Sequence, residues 1–219
     1  MGGAGPSGGG DALPDGVAYR EIAGRERLAT RGEPVGEEET ADGWRAWEPG
    51  RSKLGAMVDA GMETGLSAGD GVLYLGAAAG TTASHVADFA GPVYAVEFAA
   101  RPMRDLVGVA AGRPNLFPLL KDARDPASYG HVVEADLDAV VQDVATRGQA
   151  DVALSNRRFL VDDGRLLLAV KARSEDVTAA PADVFDDVLE TLEEGYEVLE
   201  TRRLEPHHED HLGVVARPR

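Results

Sequence analysis

Lysine is scarce in this 219-residue chain: Lys53, Lys121 and Lys171 stand against 19 arginines. A neutral amine can take up a proton, and an ammonium can stabilise developing negative charge; a guanidinium stays protonated throughout. A lysine kept where arginine is otherwise used is therefore a candidate for proton handling. Lys53 lies in Arg51-Ser52-Lys53-Leu54, on a helix expected ahead of the first buried strand. Lys171 directly follows one predicted strand and Asp143 directly follows another. In a doubly wound sheet the ends of these strands can converge, giving a Lys–Asp–Lys group. The plainer alternative is a Lys53 whose stem lies along apolar neighbours and a strand-end Lys171 paired to Asp143.

Two further strand ends carry acids. Val96-Glu97-Phe98 follows a small-residue turn, Leu75-Gly76-Ala77-Ala78-Ala79-Gly80-Thr81-Thr82, by about 20 residues, the spacing at which a carboxylate can take the two ribose hydroxyls of an adenosine. In that turn Gly76 and Ala77 allow close backbone approach to a ligand, and the N–H groups of a helix starting near Thr81 face the same crevice. Taken alone, the turn is equally what an ordinary strand–helix junction requires. Lys121-Asp122-Ala123-Arg124 closes the next strand, and Asp122 can accept from an adenine amino group. Glu97, Asp122 and Asp143 together fit S-adenosylmethionine better than NAD, because no phosphate-directed basic group is evident.

The elements that must position these groups can be read from hydropathy. Strands are expected at Val72–Leu75, Pro92–Val96, Asn115–Leu120, Leu137–Gln142, Arg165–Val170, Tyr196–Arg203 and Leu212–Ala216. Helices are expected at Thr81–Phe89, Ala100–Ala111, Gln149–Leu160 (closed by Asp163-Gly164) and Pro181–Glu194. This alternation means an α/β fold, a mostly parallel sheet with helices on both faces, ending in an antiparallel hairpin. That is the pattern of a Rossmann-like methyltransferase, here assigned to residues 49–219. Residues 13–48 read as a small N-terminal β domain with strands near Gly16–Ile22, Glu26–Arg31 and Gly43–Trp47. It is too small to fold alone and must lean on the larger domain. Residues 1–12, mostly Gly, Ala, Ser and Pro, read as a disordered tail.

Composition narrows the class. There is no cysteine, which excludes disulfides, thiolate metal sites and cysteine nucleophiles. No apolar run reaches the roughly 18 residues of a membrane span, and no secretory leader is expected, so the reading is a cytoplasmic chain without a membrane partner. Asp and Glu total 38, and the net charge is −16. Few lysines with many acids suit multimolar salt, where charges are screened beyond about 3 Å. The same screening removes the usual objection to an acidic protein meeting RNA, since counterion release contributes little there.

The chain resembles the fibrillarin family, in particular the archaeal fibrillarin-like RNA 2′-O-methyltransferases, over roughly residues 13–217. The resemblance rests on Trp47-Glu48-Pro49-Gly50-Arg51-Ser52-Lys53-Leu54, on Tyr74 through Val86, on Val93-Tyr94-Ala95-Val96-Glu97-Phe98, and on Asp122-Ala123-Arg124. Asp143-Val144-Ala145, Lys171-Ala172-Arg173, Leu204-Glu205-Pro206 and Asp210-His211 extend it. It implies S-adenosylmethionine bound through Thr81, Thr82, Glu97, Phe98, Asp122, Ala123, Asp143, Val144, Ala145 and Thr146, although Thr146 stands where the family often has Gln. It also implies catalysis by Lys53, Asp143 and Lys171, with Asp143 orienting Lys171 and Lys53 stabilising charge or positioning the ribose. Lys121 is given no part in catalysis.

The implied reaction is 2′-O-methylation of ribose in rRNA and tRNA, with no metal. The implied setting is a box C/D ribonucleoprotein containing a guide RNA, a Nop-domain scaffold protein and a ribosomal-type kink-turn-binding protein. Methylation of a protein side chain (glutamine) and a mainly structural role in the particle are the alternatives. His207-His208 is expected to be a polar turn.

Overall fold

The computed structural model describes residues 13–14, 16–133 and 136–219, so the expected tail over residues 1–12 lies outside the described residues. β1 (Val17–Ile22) and β2 (Arg25–Arg31) pair as an antiparallel hairpin. Its turn, Ala23-Gly24, holds both residues at positive φ, 53° and 74°, the turn geometry that matches strand twist. β3 (Thr40–Ala41) and β4 (Trp44–Ala46) complete a four-stranded sheet in the order β1-β2-β4-β3. β3 was not expected; two residues are too few to show an alternating pattern.

After α1 (Lys53–Asp59), the chain alternates strand and helix: β5 (Val72–Leu75), α2 (Thr81–Ala87), β6 (Val93–Glu97), α3 (Ala100–Ala110), β7 (Leu116–Leu120), β8 (Leu137–Gln142), α4 (Gln149–Asn156) and β9 (Leu160–Lys171). It ends with α5 (Ala172–Glu175), α6 (Pro181–Leu192), β10 (Tyr196–Arg203) and β11 (His211–Pro218). Seven strands form one sheet in the order β10-β11-β9-β8-β5-β6-β7, with β11 antiparallel to both β10 and β9, and with β9, β8, β5, β6 and β7 paired in parallel. β5 is buried at all four positions. Val72 and Tyr74 pack into one core layer with Val86 and Leu106, while Leu73 and Leu75 pack into the other with Leu168 and Val184. From β5 the chain builds outward through β6 and β7, then returns to build β8 and β9 on the other side. The reversal lies between β5 and β8, and in such sheets the crevice for a ligand opens there, at the C-terminal strand ends.

One element departs from expectation. The stretch Gln149–Leu160 is not a single helix: α4 ends at Asn156, a 3₁₀ turn covers Arg157–Phe159, and β9 starts at Leu160. Asp162, Asp163 and Gly164 are thus inside a strand, where the register against β8 slips from Leu137↔Leu160 to Ala139↔Arg165. Val152, Asn156 and Leu160 are all buried at a spacing of four, so the hydropathy is helical although the last of them belongs to the sheet. Among the described residues no helix is long and apolar enough to cross a membrane.

The small sheet leans on the large one through a buried polar group. Arg45, fully buried, donates to Asp88 (2.8 Å), Glu38 (2.8 Å) and Ser84 (3.0 Å). Thr30 Oγ1 donates to Asp88 at 2.6 Å and meets His85 Nδ1 at 2.7 Å, and the His85 ring stacks on Trp47 with centroids 5.1 Å apart. Burial alone pushes the Glu38 carboxyl up, but bonds from His85 and the Val35 N–H and the Arg45 charge outweigh it and hold its pKa at about 2. Burial pushes the His85 pKa below its ordinary 6.5, against the pull of Glu38.

Both groups bind protons less readily when folded, so both make stability fall with falling pH. The His85 contribution is present above pH 6.5 and is lost below it. That of Glu38 is present above 4.5 and is lost toward pH 2. Urea unfolding at constant salt is expected to show falling stability from pH 7 to 5.5 and again below 4.5. A rise across either interval would contradict this account of the interface.

Candidate active site

Five strand ends meet at the switch point. A cavity of about 410 Å³ opens there, lined by residues at or just beyond the ends of β5, β6, β7, β8 and β9. Of the residues singled out from the sequence, Lys53, Gly76, Glu97, Phe98, Asp122, Ala123, Asp143, Val144, Ala145, Thr146 and Lys171 line it. Ala77, Thr81 and Thr82 do not. Ala77 is buried, its N–H donating to Val96 O at 3.1 Å, and the Thr82 hydroxyl donates to Ser52 Oγ at 3.1 Å. Ala78, Val96, Lys121, Arg124 and Val152 also line the cavity and were not assigned to it. Val96 and Val152 carry no signal that separates them from core valines. Lys121 did carry one, being one of three lysines.

Gly76 has φ +82°, and a Cβ there would come within 2.3 Å of Asp143 O. Only glycine lets the ends of β5 and β8 approach this closely. Glu97, only 7% exposed, accepts from the Ala78 N–H at 3.0 Å and the Ala99 N–H at 2.7 Å, one bond to each oxygen. The carboxylate is thereby fixed between the small-residue turn and the start of α3, and each oxygen keeps a second lone pair. Asp122 is gripped by Arg124 through two parallel bonds, 3.0 Å from Nε and 2.6 Å from Nη2. The Arg124 hydrogen bond holds its carboxyl below the ordinary carboxylate range, so it remains an acceptor.

At the opposite end of the cavity the lysines gather. Ser52 caps α1, accepting from the Gly55 N–H at 2.9 Å, and this places Lys53 on the first turn of the helix. A cation is poorly placed at a helix N-terminus, where the backbone carries partial positive charge. Asp143 offsets that cost: Lys53 Nζ donates to its Oδ2 at 3.0 Å, with about a quarter of each side chain exposed. The expectation was that Asp143 orients Lys171; here the ion pair of Asp143 is with Lys53. α1 packs against β9 and β11, and from there Lys53 takes the carboxylate. Lys171 Nζ has no hydrogen-bond or ion-pair partner among the described residues, and the residue lines the cavity.

His211, to which the sequence assigned no role, opens β11 directly across from Lys171. Its Nδ1 meets Glu209 O at 2.6 Å, and its Nε2 is buried without a partner among the described residues. Burial lowers its pKa, and the nearby charge of Lys53 adds to that. His208, expected in a plain turn, reaches Pro49 O at 2.8 Å and so ties that turn to the approach to α1. Among the described residues no three acidic or histidine side chains gather as metal ligands.

Comparison with known proteins places this architecture. A protein of Halorubrum lacusprofundi named fibrillarin-like rRNA/tRNA 2′-O-methyltransferase is 70% identical over 207 residues, covering 94% of this chain and 98% of that protein. A protein of the same name from Methanosarcina mazei is 52% identical over 183 residues, 80% of each chain. Among solved structures, a fibrillarin/Nop5p complex matches with a TM-score of 0.86 and 36% identity, covering 95% of this chain and 100% of the matched one. Aeropyrum pernix fibrillarin with natively bound S-adenosyl-L-methionine matches at 0.79 and 41%, covering 92% and 94%. The family model for fibrillarin matches residues 22–219, and the chain belongs to the fibrillarin family.

Proposed function

We propose that the chain transfers the methyl group of S-adenosylmethionine to the ribose 2′-hydroxyl of rRNA and tRNA, at nucleotides chosen by a box C/D guide RNA. The observation that carries this reading is the two-ended cavity: fixed carboxylates for an adenosine at one end and two lysines with one aspartate at the other. The residues present fit the cofactor. Glu97 offers free lone pairs to a ribose diol, Asp122 offers an ionised acceptor to an amino group, and the turn at Gly76 leaves backbone at the cavity wall. Thr81 and Thr82 act through the helix that they begin rather than at the wall. Val144, Ala145 and Thr146 supply wall beside Asp143. Phe98, 72% exposed, offers an apolar face at the rim.

Bound there, S-adenosylmethionine supplies an electrophilic methyl group. A ribose hydroxyl is a poor nucleophile until its proton is removed and its oxygen aligned. Lys171 is assigned the proton, because its Nζ is committed to no other group while the Lys53 ammonium is held by Asp143. Lys53 stabilises the negative charge developing on the 2′-oxygen. Asp143 fixes Lys53 and shares the cavity wall with Lys171.

RNA selection is assigned to partners, since no basic face interleaved with aromatics is evident in the sequence. The solved fibrillarin/Nop5p complex supports a Nop-domain scaffold. A guide RNA and a kink-turn-binding ribosomal-type protein complete the proposed particle, which acts in the cytoplasm. The test is transfer of labelled methyl to target RNA, with scaffold and guide supplied or withheld. Transfer is expected only with both, and equal transfer by the chain alone would count against guided action.

Replacing Glu97 with alanine is expected to weaken cofactor binding by about 1–3 kcal/mol, the cost of losing bonds to a charged acceptor. Calorimetry in multimolar potassium chloride measures this directly. An unchanged affinity would remove Glu97 from the site.

A further inference from the structure

β8 ends at Gln142, paired with Leu168, but β9 runs three residues further to Lys171. Beyond the end of β8 the Lys171 main chain has no neighbouring strand on that side, and an unpaired buried peptide group is costly. Gln149, fully buried at the start of α4, fills the place of the missing strand. Its Oε1 accepts from the Lys171 N–H at 2.9 Å, and its Nε2 donates to the Lys171 carbonyl at 3.1 Å. The side-chain amide thus presents the acceptor and donor that a strand peptide would. Only a residue with both groups on one carbon can do so: glutamate cannot donate, and methionine can do neither.

The contact is itself held from two directions. Gln142, fully buried and immediately before Asp143, donates its Nε2 to Gln149 O at 2.7 Å. Glu175, on the helix that begins just after Lys171, accepts from the Gly148 N–H at 2.8 Å and the Gln149 N–H at 2.6 Å. One chain of bonds therefore runs from the residue before Asp143, through Gln149, to the backbone of Lys171. Five side-chain bonds meet on this short segment, whereas Lys171 Nζ itself has no partner among the described residues. A reacting group displaced by about 1 Å can lose on the order of 100-fold in rate.

We propose that Gln149 is a positioning residue for Lys171: its amide replaces the absent strand, fixes the Lys171 backbone and sets that residue's distance from Asp143. This rests on the proposed role of Lys171 in methyl transfer. It predicts that Gln149 contributes to the rate through Lys171 and not to the affinity for cofactor or RNA.

The test compares wild type, Gln149→Met, Lys171→Ala and the double variant in the assembled particle, at saturating S-adenosylmethionine in multimolar salt. Gln149→Met is expected to lower the single-turnover rate about 10- to 100-fold with the half-saturating RNA concentration within about twofold. The double variant should be little slower than Lys171→Ala, since a positioning residue has nothing left to position. Exchange of the Lys171 amide proton should speed at least about tenfold, while the amide of Leu168, fully buried three residues deeper in β9, stays protected. A wild-type rate for Gln149→Met, or losses that multiply in the double variant, would overturn the proposal.

If Lys171→Ala is as fast as wild type while amide exchange behaves as expected, the clamp exists but the role of Lys171 fails, and the proposal falls with it. Unchanged exchange would refute the clamp itself. Should Gln149→Met not fold, Gln149→Glu decides. It keeps the acceptor for the N–H and loses the donor to the carbonyl, so a loss confined to the rate supports the proposal and a wild-type rate refutes it.

Discussion

Lys171→Ala is expected to slow methyl transfer to guided RNA by at least about 100-fold, the scale of a lost general base, with folding and cofactor affinity nearly unchanged. The expectation comes from geometry. Lys171 lines the cavity, but its backbone is carried by β9, β11 and Gln149, so truncating the side chain beyond Cβ removes an amine and leaves every bond that places it. Lys171→Arg should rescue little, because a guanidinium stays protonated and cannot accept the proton from the ribose hydroxyl. Lys53→Arg should rescue more, since a guanidinium can keep the ion pair with Asp143 and still supply positive charge. Single-turnover rates in the complete particle separate the two. A Lys171→Arg rate close to wild type would make Lys171 an electrostatic group and move the base to Lys53, Asp143 or a bound water.

The second large effect is on the fold itself. Lowering potassium chloride from multimolar to roughly tenth-molar is expected to cost about 10 °C or more in melting temperature, or several kcal/mol at about 2–4 °C per kcal/mol for a domain of this size. Less salt strengthens attractions and repulsions alike, so the sign depends on which set is larger. The pairs Arg124–Asp122, Arg217–Glu197 and Arg219–Glu193 are exposed to solvent, and such pairs add little to stability. Against them stand 38 acidic residues and a net charge of −16, whose mutual repulsion is no longer screened. The buried Arg45 group is shielded from solvent and should change little with salt. A surface of many acids and few lysines is what a halophile's protein, working in multimolar salt, would carry. An unchanged melting temperature would remove the halophile argument, and with it part of the reason for treating three surviving lysines as special.

Legibility tracked the physics of each element. Val72–Leu75 could be read to the residue, because a strand buried on both faces is a short continuous apolar run bounded by polar or small residues; Leu137–Gln142 could be read too, from the apolar Ala139-Val140-Val141 at its centre, although Asp138 within it is exposed. The start of β9 could not, because Leu160 and Phe159 continue the helical spacing of buried positions from α4. The turn at Gly76 and the acids at Glu97, Asp122 and Asp143 were visible, since the topology of a doubly wound sheet sends every strand end to one edge. Which lysine meets Asp143 was not visible, because that depends on how α1 packs, and its seven residues carry no register. His211 and Gln149 were missed for a related reason. Their relation to Lys171 arises across strands and between elements, where sequence separation gives no hint of contact.

The central claim, guided transfer of a methyl group to a ribose hydroxyl from the cavity at the β5–β8 switch point, is tested most directly by removing the acceptor atom. The complete particle is supplied with methyl-labelled S-adenosylmethionine and with a target RNA carrying 2′-deoxyribose at the one nucleotide specified by the guide. The account predicts label at that nucleotide in ordinary RNA and none in the 2′-deoxy substrate. Equal label on the deoxy substrate, or label recovered on a protein partner in its place, would contradict it.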